Sequence, residues 1–225
     1  MHRRTETAAA RIGRIRLERP SLAREAEFLR GVIRSRALHR AFVEPPCTSS
    51  EYHAYLRRQR RPSQESFFVI DAESGRLAGV VNVNDIVRDS IQSASLGYYA
   101  FVPFAGNGLM REALRVVVGW CFRDLGLHRL EANIQPGNIR SVALVEGLGF
   151  RLEGLSPRYL KIRGRWRDHE RWALLAEEWR RYASRAASGA GALSRVRPAA
   201  RVRHDQPSTT ASTPSVSAIK APAAV

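Results

Sequence analysis

At 225 residues, the chain has the length of one domain with a substantial core, plus tails. Lysine and arginine number 37 against 21 aspartate and glutamate, a formal charge of +16, and Lys161 and Lys220 are the only lysines. No apolar run approaches the roughly 18–20 residues needed to cross a bilayer, residues 1–11 lack a signal peptide's apolar segment, and no His/Cys/Asp cluster has metal-ligand spacing; a soluble, cytoplasmic protein with no metal and no membrane partner is expected.

Residues 12–18 alternate as a first strand, and Pro20 follows. Ser21 is placed to cap a helix running to Arg34, with Leu22, Ala26 and Leu29 at helical spacing. Residues 37–47 are irregular. Thr48-Ser49-Ser50-Glu51 has the form of a capping box for a second helix over 52–61, which Pro62 stops. Residues 66–71 and 77–84 read as a hairpin around Glu73-Ser74-Gly75. Cys47 in a proline loop and Cys121 on a helix face predict reduced thiols rather than a bridge.

Residues 96–102 alternate as the next strand, ended by Pro103. The turn Gly106-Asn107-Gly108 follows, and from Leu109 the period becomes helical, with Ala113, Val116, Val117, Trp120 and Cys121 on one face. After Gly126 comes a strand over 128–135, a turn at Pro136-Gly137-Asn138, and a short helix over 139–148. Ala143, Leu144 and Leu148 are expected on its inner face, with Gly149 as its C-cap. A second hairpin, 151–162 with 166–175, turns at Arg163-Gly164-Arg165, and residues 176–184 add a helical turn anchored by Trp179. The domain is thus expected over 12–184, between a disordered N-terminus (1–11) and a disordered Ala/Ser/Pro/Arg-rich tail (185–225).

A glycine turn that opens a helix offers unpaired N–H donors and the positive end of the helix dipole, chemistry suited to phosphate. Position 111 is arginine, so this is not the dinucleotide fingerprint, and no Gly-Lys-Ser/Thr makes it a Walker loop. By itself the turn is equally an ordinary strand-to-helix connection.

The segments LGYY (96–99), GNGLMREAL (106–114), HRLEANIQPGNIRSVALVEGLGF (128–150), EG (153–154) and YLKIRGRWRDH (159–169) occur in that order. Together they resemble the GNAT N-acetyltransferase superfamily, and more closely its RimJ/RimL type, the ribosomal-protein alanine N-acetyltransferases. The resemblance covers residues 12–179. It implies an α/β (α+β) fold with a central mixed, mostly antiparallel, splayed sheet flanked by helices. It also implies an acyltransferase (EC 2.3.1 class) that uses acetyl-CoA.

On that resemblance the family's pyrophosphate loop, Gln/Arg-x-x-Gly-x-Gly/Ala, falls on Ala105, Gly106, Asn107, Gly108, Leu109 and Met110, with Arg111 next. Gly108 matches; Ala105 and Met110 depart, which leaves backbone amides to hold the phosphates. The pantetheine arm would pair along Tyr98, Tyr99 and Ala100, and Asn138 would hydrogen-bond it. Asn138 also suits a plain helix N-cap. Glu131 is the candidate base, with a surface ion pair as its alternative role. A backbone N–H near 99–101 is the candidate oxyanion donor. Relatives often carry a tyrosine acid where Val145 stands and a glutamate where Ser95 stands, so Ser141 is the candidate acid, or else a local cap. Asp168 and His169 beside Trp166 would line the acceptor side or form a structural Trp–Asp contact.

The acceptor is expected to be a protein N-terminus, with the ribosome as a partner. A small amine, or a catalytically weak CoA-binding or RNA-associated module, are the alternatives. An open groove between residues 37–47 and the 163–165 hairpin favours peptides; a closed acidic pocket favours small cationic amines. The arginine excess reflects either a polyanionic partner or codon composition. Monomer and homodimer both remain open.

Overall fold

A computed structural model describes residues 11–189, so most of the predicted N-terminal segment and of the tail lies outside the described residues. The strands are β1 (Arg11–Ile12), β2 (Ile15–Glu18), β3 (Glu65–Asp71), β4 (Leu77–Val87), β5 (Ser93–Ala100), β6 (Arg129–Ile134), β7 (Arg151–Ile162) and β8 (Arg165–Leu175). They form one sheet in the order β1-β2-β3-β4-β5-β6-β8-β7. Every pair is antiparallel except β5–β6. The sheet is therefore mixed, mostly antiparallel and open.

The helices are α1 (Glu25–Arg34), α2 (Arg36–His39), α3 (Ser49–Arg58), α4 (Leu109–Arg123), α5 (Ile139–Glu146) and α6 (Ala176–Gly189). Leu114, Val117, Val118 and Cys121 of α4, Val145 of α5 and Trp179 of α6 meet Val81, Leu96, Tyr98, Leu130 and Ile134 on one sheet face. Phe28 and Val32 of α1 and Tyr52 and Tyr55 of α3 meet Phe68, Val80, Tyr99 and Phe101 on the other. The aromatic rings of this second cluster lie at centroid distances of 4.8 to 6.1 Å around Phe28. No helix among the described residues is long and apolar enough to span a membrane.

The capping box at Thr48 forms as read, with Thr48 and Glu51 exchanging side-chain-to-backbone hydrogen bonds. Several local expectations are corrected. The first strand breaks at Gly13 (φ +56°), which turns β1 back onto β2. Ser21 caps a single 3-10 turn, Leu22–Arg24, without a side-chain bond, and Leu22 is exposed because the helix proper begins at Glu25. On α4 the buried face also takes in Leu114 and Val118, wider than the stripe predicted, because the helix is covered by the whole sheet. On α5 Ser141 and Val145 are buried, Leu144 packs partly buried against the core as expected and Leu148 lies just beyond, but Ala143 is exposed and the C-cap is Gly147 rather than Gly149. Cys47 and Cys121 are free thiols. α6 continues to Gly189, beyond the predicted end at 184.

Candidate active site

After β5 the chain turns through residues 101–108 into α4. Gly106 and Gly108 sit at φ of +89° and +82°, where a side chain is strained. A Cβ on Gly106 would meet nothing within 4 Å, so the space over the turn is open; one on Gly108 would come within 3.0 Å of Arg14 Nη2. The N–H groups of Arg111 and Glu112 return to the Gly108 carbonyl, at 3.1 and 3.2 Å. Those of Gly108, Leu109 and Met110 therefore open the helix with no acceptor inside it. Ala105 and Asn107 are tied back to Phe101 and Phe104 carbonyls, which fixes the turn.

Side chains contribute less here than the run of predicted residues implies. Leu109 is buried and Met110 packs against the same core, while Arg111 Nη2 lies over Gly147, 2.6 Å from where a Cβ would stand. One cation was not foreseen: Arg14 donates Nη1 to the Asn107 carbonyl at 3.0 Å and Nε to Glu112 at 2.6 Å. Ninety-three residues separate Arg14 from Asn107, and nothing local in the sequence marks the pairing.

Beside the turn, the one parallel pair comes apart. The β5–β6 register ends at Leu96↔Ala132, although β5 continues to Ala100 and β6 to Ile134. Phe101 donates its N–H to Ala78 O at 2.8 Å, on the β4 side, and strand alternation then turns the N–H groups of Tyr98 and Ala100 toward the opening. Of the predicted oxyanion donors around 99–101, Phe101 is thereby excluded and Ala100 retained. Asn138 Oδ1 caps α5 by accepting the Ser141 N–H at 3.3 Å, while its buried Nδ2 has no partner among the described residues. Both roles read for this asparagine are thus compatible. An open amide-lined turn, an unzipped strand edge and an orphaned amide donor fit a ligand with phosphates at one end and an amide-bearing arm.

Tyr98 reaches this opening by its backbone only. Its side chain turns to the α4 face, where its hydroxyl bonds Ser141 Oγ at 2.6 Å, and burial holds the phenol protonated well above its usual range. Ser141 is itself buried.

The opposite face carries a polar row. Asn84 on β4 pairs in register with Ser95 on β5, and Ser95 with Glu131 on β6. Asn84 Nδ2 reaches Ser95 O at 3.5 Å and Asn133 Nδ2 reaches Ser95 Oγ at 3.4 Å. Asn84 Oδ1, Asn133 Oδ1, Tyr99 Oη, His39 Nδ1 and His169 Nε2 are buried without partners among the described residues. His39 donates Nε2–H to Ala100 O at 2.7 Å and His169 donates Nδ1–H to Arg167 O at 2.9 Å. Burial lowers the pKa of both imidazoles. Glu131 accepts from Arg129 Nε at 2.8 Å and pairs with Arg171 at 3.3 Å, the ion-pair role held as its alternative.

A groove of about 490 Å³ runs from this face, between Arg40-Ala41-Phe42 on one wall and Ile162, Arg163 and Trp166-Arg167-Asp168 on the other, floored by Gln135-Pro136-Gly137. Gln135 Nε2 donates to the Ala41 and Phe42 carbonyls at 3.4 and 3.3 Å, which ties wall to floor. Asp168 lines the groove as one reading had it; its carboxylate accepts the Arg158 N–H at 2.7 Å.

The family model described as an acetyltransferase (GNAT) domain matches residues 14–151. A Bacillus subtilis (strain 168) protein named a probable N-acetyltransferase, YjcK, is 37% identical over 121 residues, 54% of this chain and 67% of that one. The [ribosomal protein uS5]-alanine N-acetyltransferase of Escherichia coli (strain K12) is 39% identical over 113 residues, 50% of this chain; the match spans 58% of the length of that enzyme. Among solved structures, Mycobacterium smegmatis RimJ in complex with CoA-disulfide superposes with a TM-score of 0.69 at 24% identity, over 80% of this chain and 94% of that one; at that identity the likeness speaks for the fold.

Proposed function

The chain belongs to the GNAT acetyltransferase family, a family of acyltransferases, and on that premise we propose that it acetylates the free α-amine at the N-terminus of a protein; a relative named a [ribosomal protein uS5]-alanine N-acetyltransferase supports a protein acceptor. The observation that carries this reading is the groove: it is open, it is floored by Gln135-Pro136-Gly137 directly after β6, and its walls draw on residues 37–47 and the 163–165 hairpin, the pair between which an open groove favours peptides. A single carboxylate, Asp168, faces three arginines there, a lining that disfavours a polycationic small amine.

When bound, acetyl-CoA supplies a thioester, and the chain's residues supply the rest. The N–H groups of Gly108, Leu109 and Met110 hold the pyrophosphate, on a turn that Arg14 braces through Asn107 and Glu112. The edge of β5 and Asn138 Nδ2 align the arm. The Ala100 N–H stabilises negative charge developing on the carbonyl oxygen. The amine nitrogen bonds to the carbonyl carbon as the C–S bond breaks; Ser141, backed by the Tyr98 hydroxyl, gives a proton to the departing sulfur and regains one from solvent, where the proton the amine loses ends up. An α-amine has a pKa of about 7.7–8.0, so roughly a tenth or more is neutral at pH 7 and a water path suffices to remove its proton. In this reading Glu131, the register partner of Ser95, receives that proton on its way to solvent. A cytoplasmic, ribosome-associated acceptor goes with this reading.

The test is thiol release from acetyl-CoA by the full chain, with Ala-, Ser- and Gly-starting peptides, the same peptides N-blocked, and small amines. Turnover confined to free N-termini is expected. Turnover confined to small amines overturns the reading.

A further inference from the structure

The groove has a charge that the transfer chemistry does not use. Arg40 stands on one wall, and Arg163 and Arg167 on the other. All three are exposed, and among the described residues none of them forms an ion pair, whereas Arg14, Arg24, Arg129 and Arg151 are each committed to glutamates. The one carboxylate in the lining, Asp168, is drawn off toward the Arg158 amide. Arg163 sits at the hairpin turn, in positive φ beside Gly164, and is exposed.

We propose that this groove selects acceptor chains carrying acidic residues directly after the N-terminal residue, with Arg40, Arg163 and Arg167 as the groups that read them. The inference rests on the peptide reading above. The groove begins at Gln135-Pro136-Gly137, immediately before Asn138, so a chain whose α-amine lies at the β5–β6 opening leads its next residues between the arginines. Unpaired guanidinium groups bind carboxylates bidentately and at close range. Trp166, which is 59% exposed, and Phe42 supply apolar contact between the charges. A groove of about 490 Å³ matches pockets that take a drug-sized ligand, about 300–1,000 Å³; it suits a few residues of an extended chain better than an RNA helix.

The experiment compares three Ala-starting peptides that differ only at positions two to four, as Glu, Gln or Lys, by thiol release at low and high salt. The glutamate peptide is expected to exceed the lysine peptide in kcat/KM by roughly tenfold or more, chiefly through KM, with the gap narrowing as salt rises. In an Arg163→Glu/Arg167→Glu variant, and separately in Arg40→Glu on the opposite wall, the order is expected to shift toward lysine; thermal unfolding checks that each variant folds. Equal use of the three peptides, or a lysine preference in the unaltered chain, overturns the proposal while leaving the peptide reading intact. Turnover of small amines with no peptide at all overturns the peptide reading itself. Tight, salt-sensitive binding of an RNA oligonucleotide that the same variants abolish, with flat peptide preference, reassigns the arginines to a polyanion.

Discussion

The two faces of the sheet are built from the same strands and to different ends. Beneath α4, Ala94, Leu96 and Tyr98 of β5 and Leu130, Ala132 and Ile134 of β6 are packed in hydrocarbon, and the buried Tyr98 hydroxyl is bonded to Ser141. On the α1/α3 face the same strands present Ser95, Tyr99, Glu131 and Asn133, and buried oxygens and nitrogens are left without partners. A buried polar atom without a partner costs about 1–3 kcal/mol. A fold tolerates such a cost where binding or chemistry needs the group, so, apart from Asn138 and Ser141 at the head of α5, the α4 face holds stability and the other function.

The largest effect that would sharpen this contrast is on the packed face. Leu114, fully buried on α4, should cost about 2–5 kcal/mol as Leu114→Ala, read as a lower urea midpoint with an unchanged slope. Asn133→Leu on the polar face should do the reverse: melting temperature unchanged or slightly raised, because an unpartnered buried amide oxygen is removed for the loss of one long hydrogen bond to Ser95, with kcat/KM down about tenfold or more from an interaction of roughly 1.4 kcal/mol. If the leucine variant unfolds as badly as Leu114→Ala, the division between the faces fails. The smallest effect is on pH. His39 and His169 have folded-state pKa values depressed below the usual 6.5 by burial, so both are held neutral. Their contribution is present above pH of about 6.5 and is lost as pH falls from there through the folded-state values. The melting temperature should therefore drop on acidification from pH 7 toward 5, and less steeply in a His169→Gln variant.

The sequence disclosed one of these faces better than the other, for a local reason. The glycine turn, the α4 stripe, the Asn138 cap and both hairpins depend on residues within a few positions of one another, and short-range rules read them. The α5 face is only partly legible, Leu144 and Leu148 packing inward but Ala143 standing exposed where Ser141 and Val145 are buried, because so short a helix fits more than one phase of the helical period. Leu22 was misassigned because a 3-10 turn and an α-helix start share the same cap residue type.

The functional face was legible only as scattered residue types. Glu131 and Ser141 were named, but not that Arg129 and Arg171 hold the first or that Tyr98 holds the second. Arg14 at the phosphate turn, His39 on the Ala100 carbonyl and the Asn84–Ser95–Asn133 row left no trace in local spacing, since each joins segments brought together by strand pairing.

The order of the longer strands and helices, the glycine turn at the head of α4 and the family follow from the sequence alone, because propensity, capping and motif order act over short stretches of chain; the short α2 and the break at Gly13 do not. Only the tertiary structure decided where β5 and β6 part, which carboxylates were already taken by arginines, and which arginines remained free to face a groove. Those outcomes depend on strand register and on distances between residues far apart in the chain.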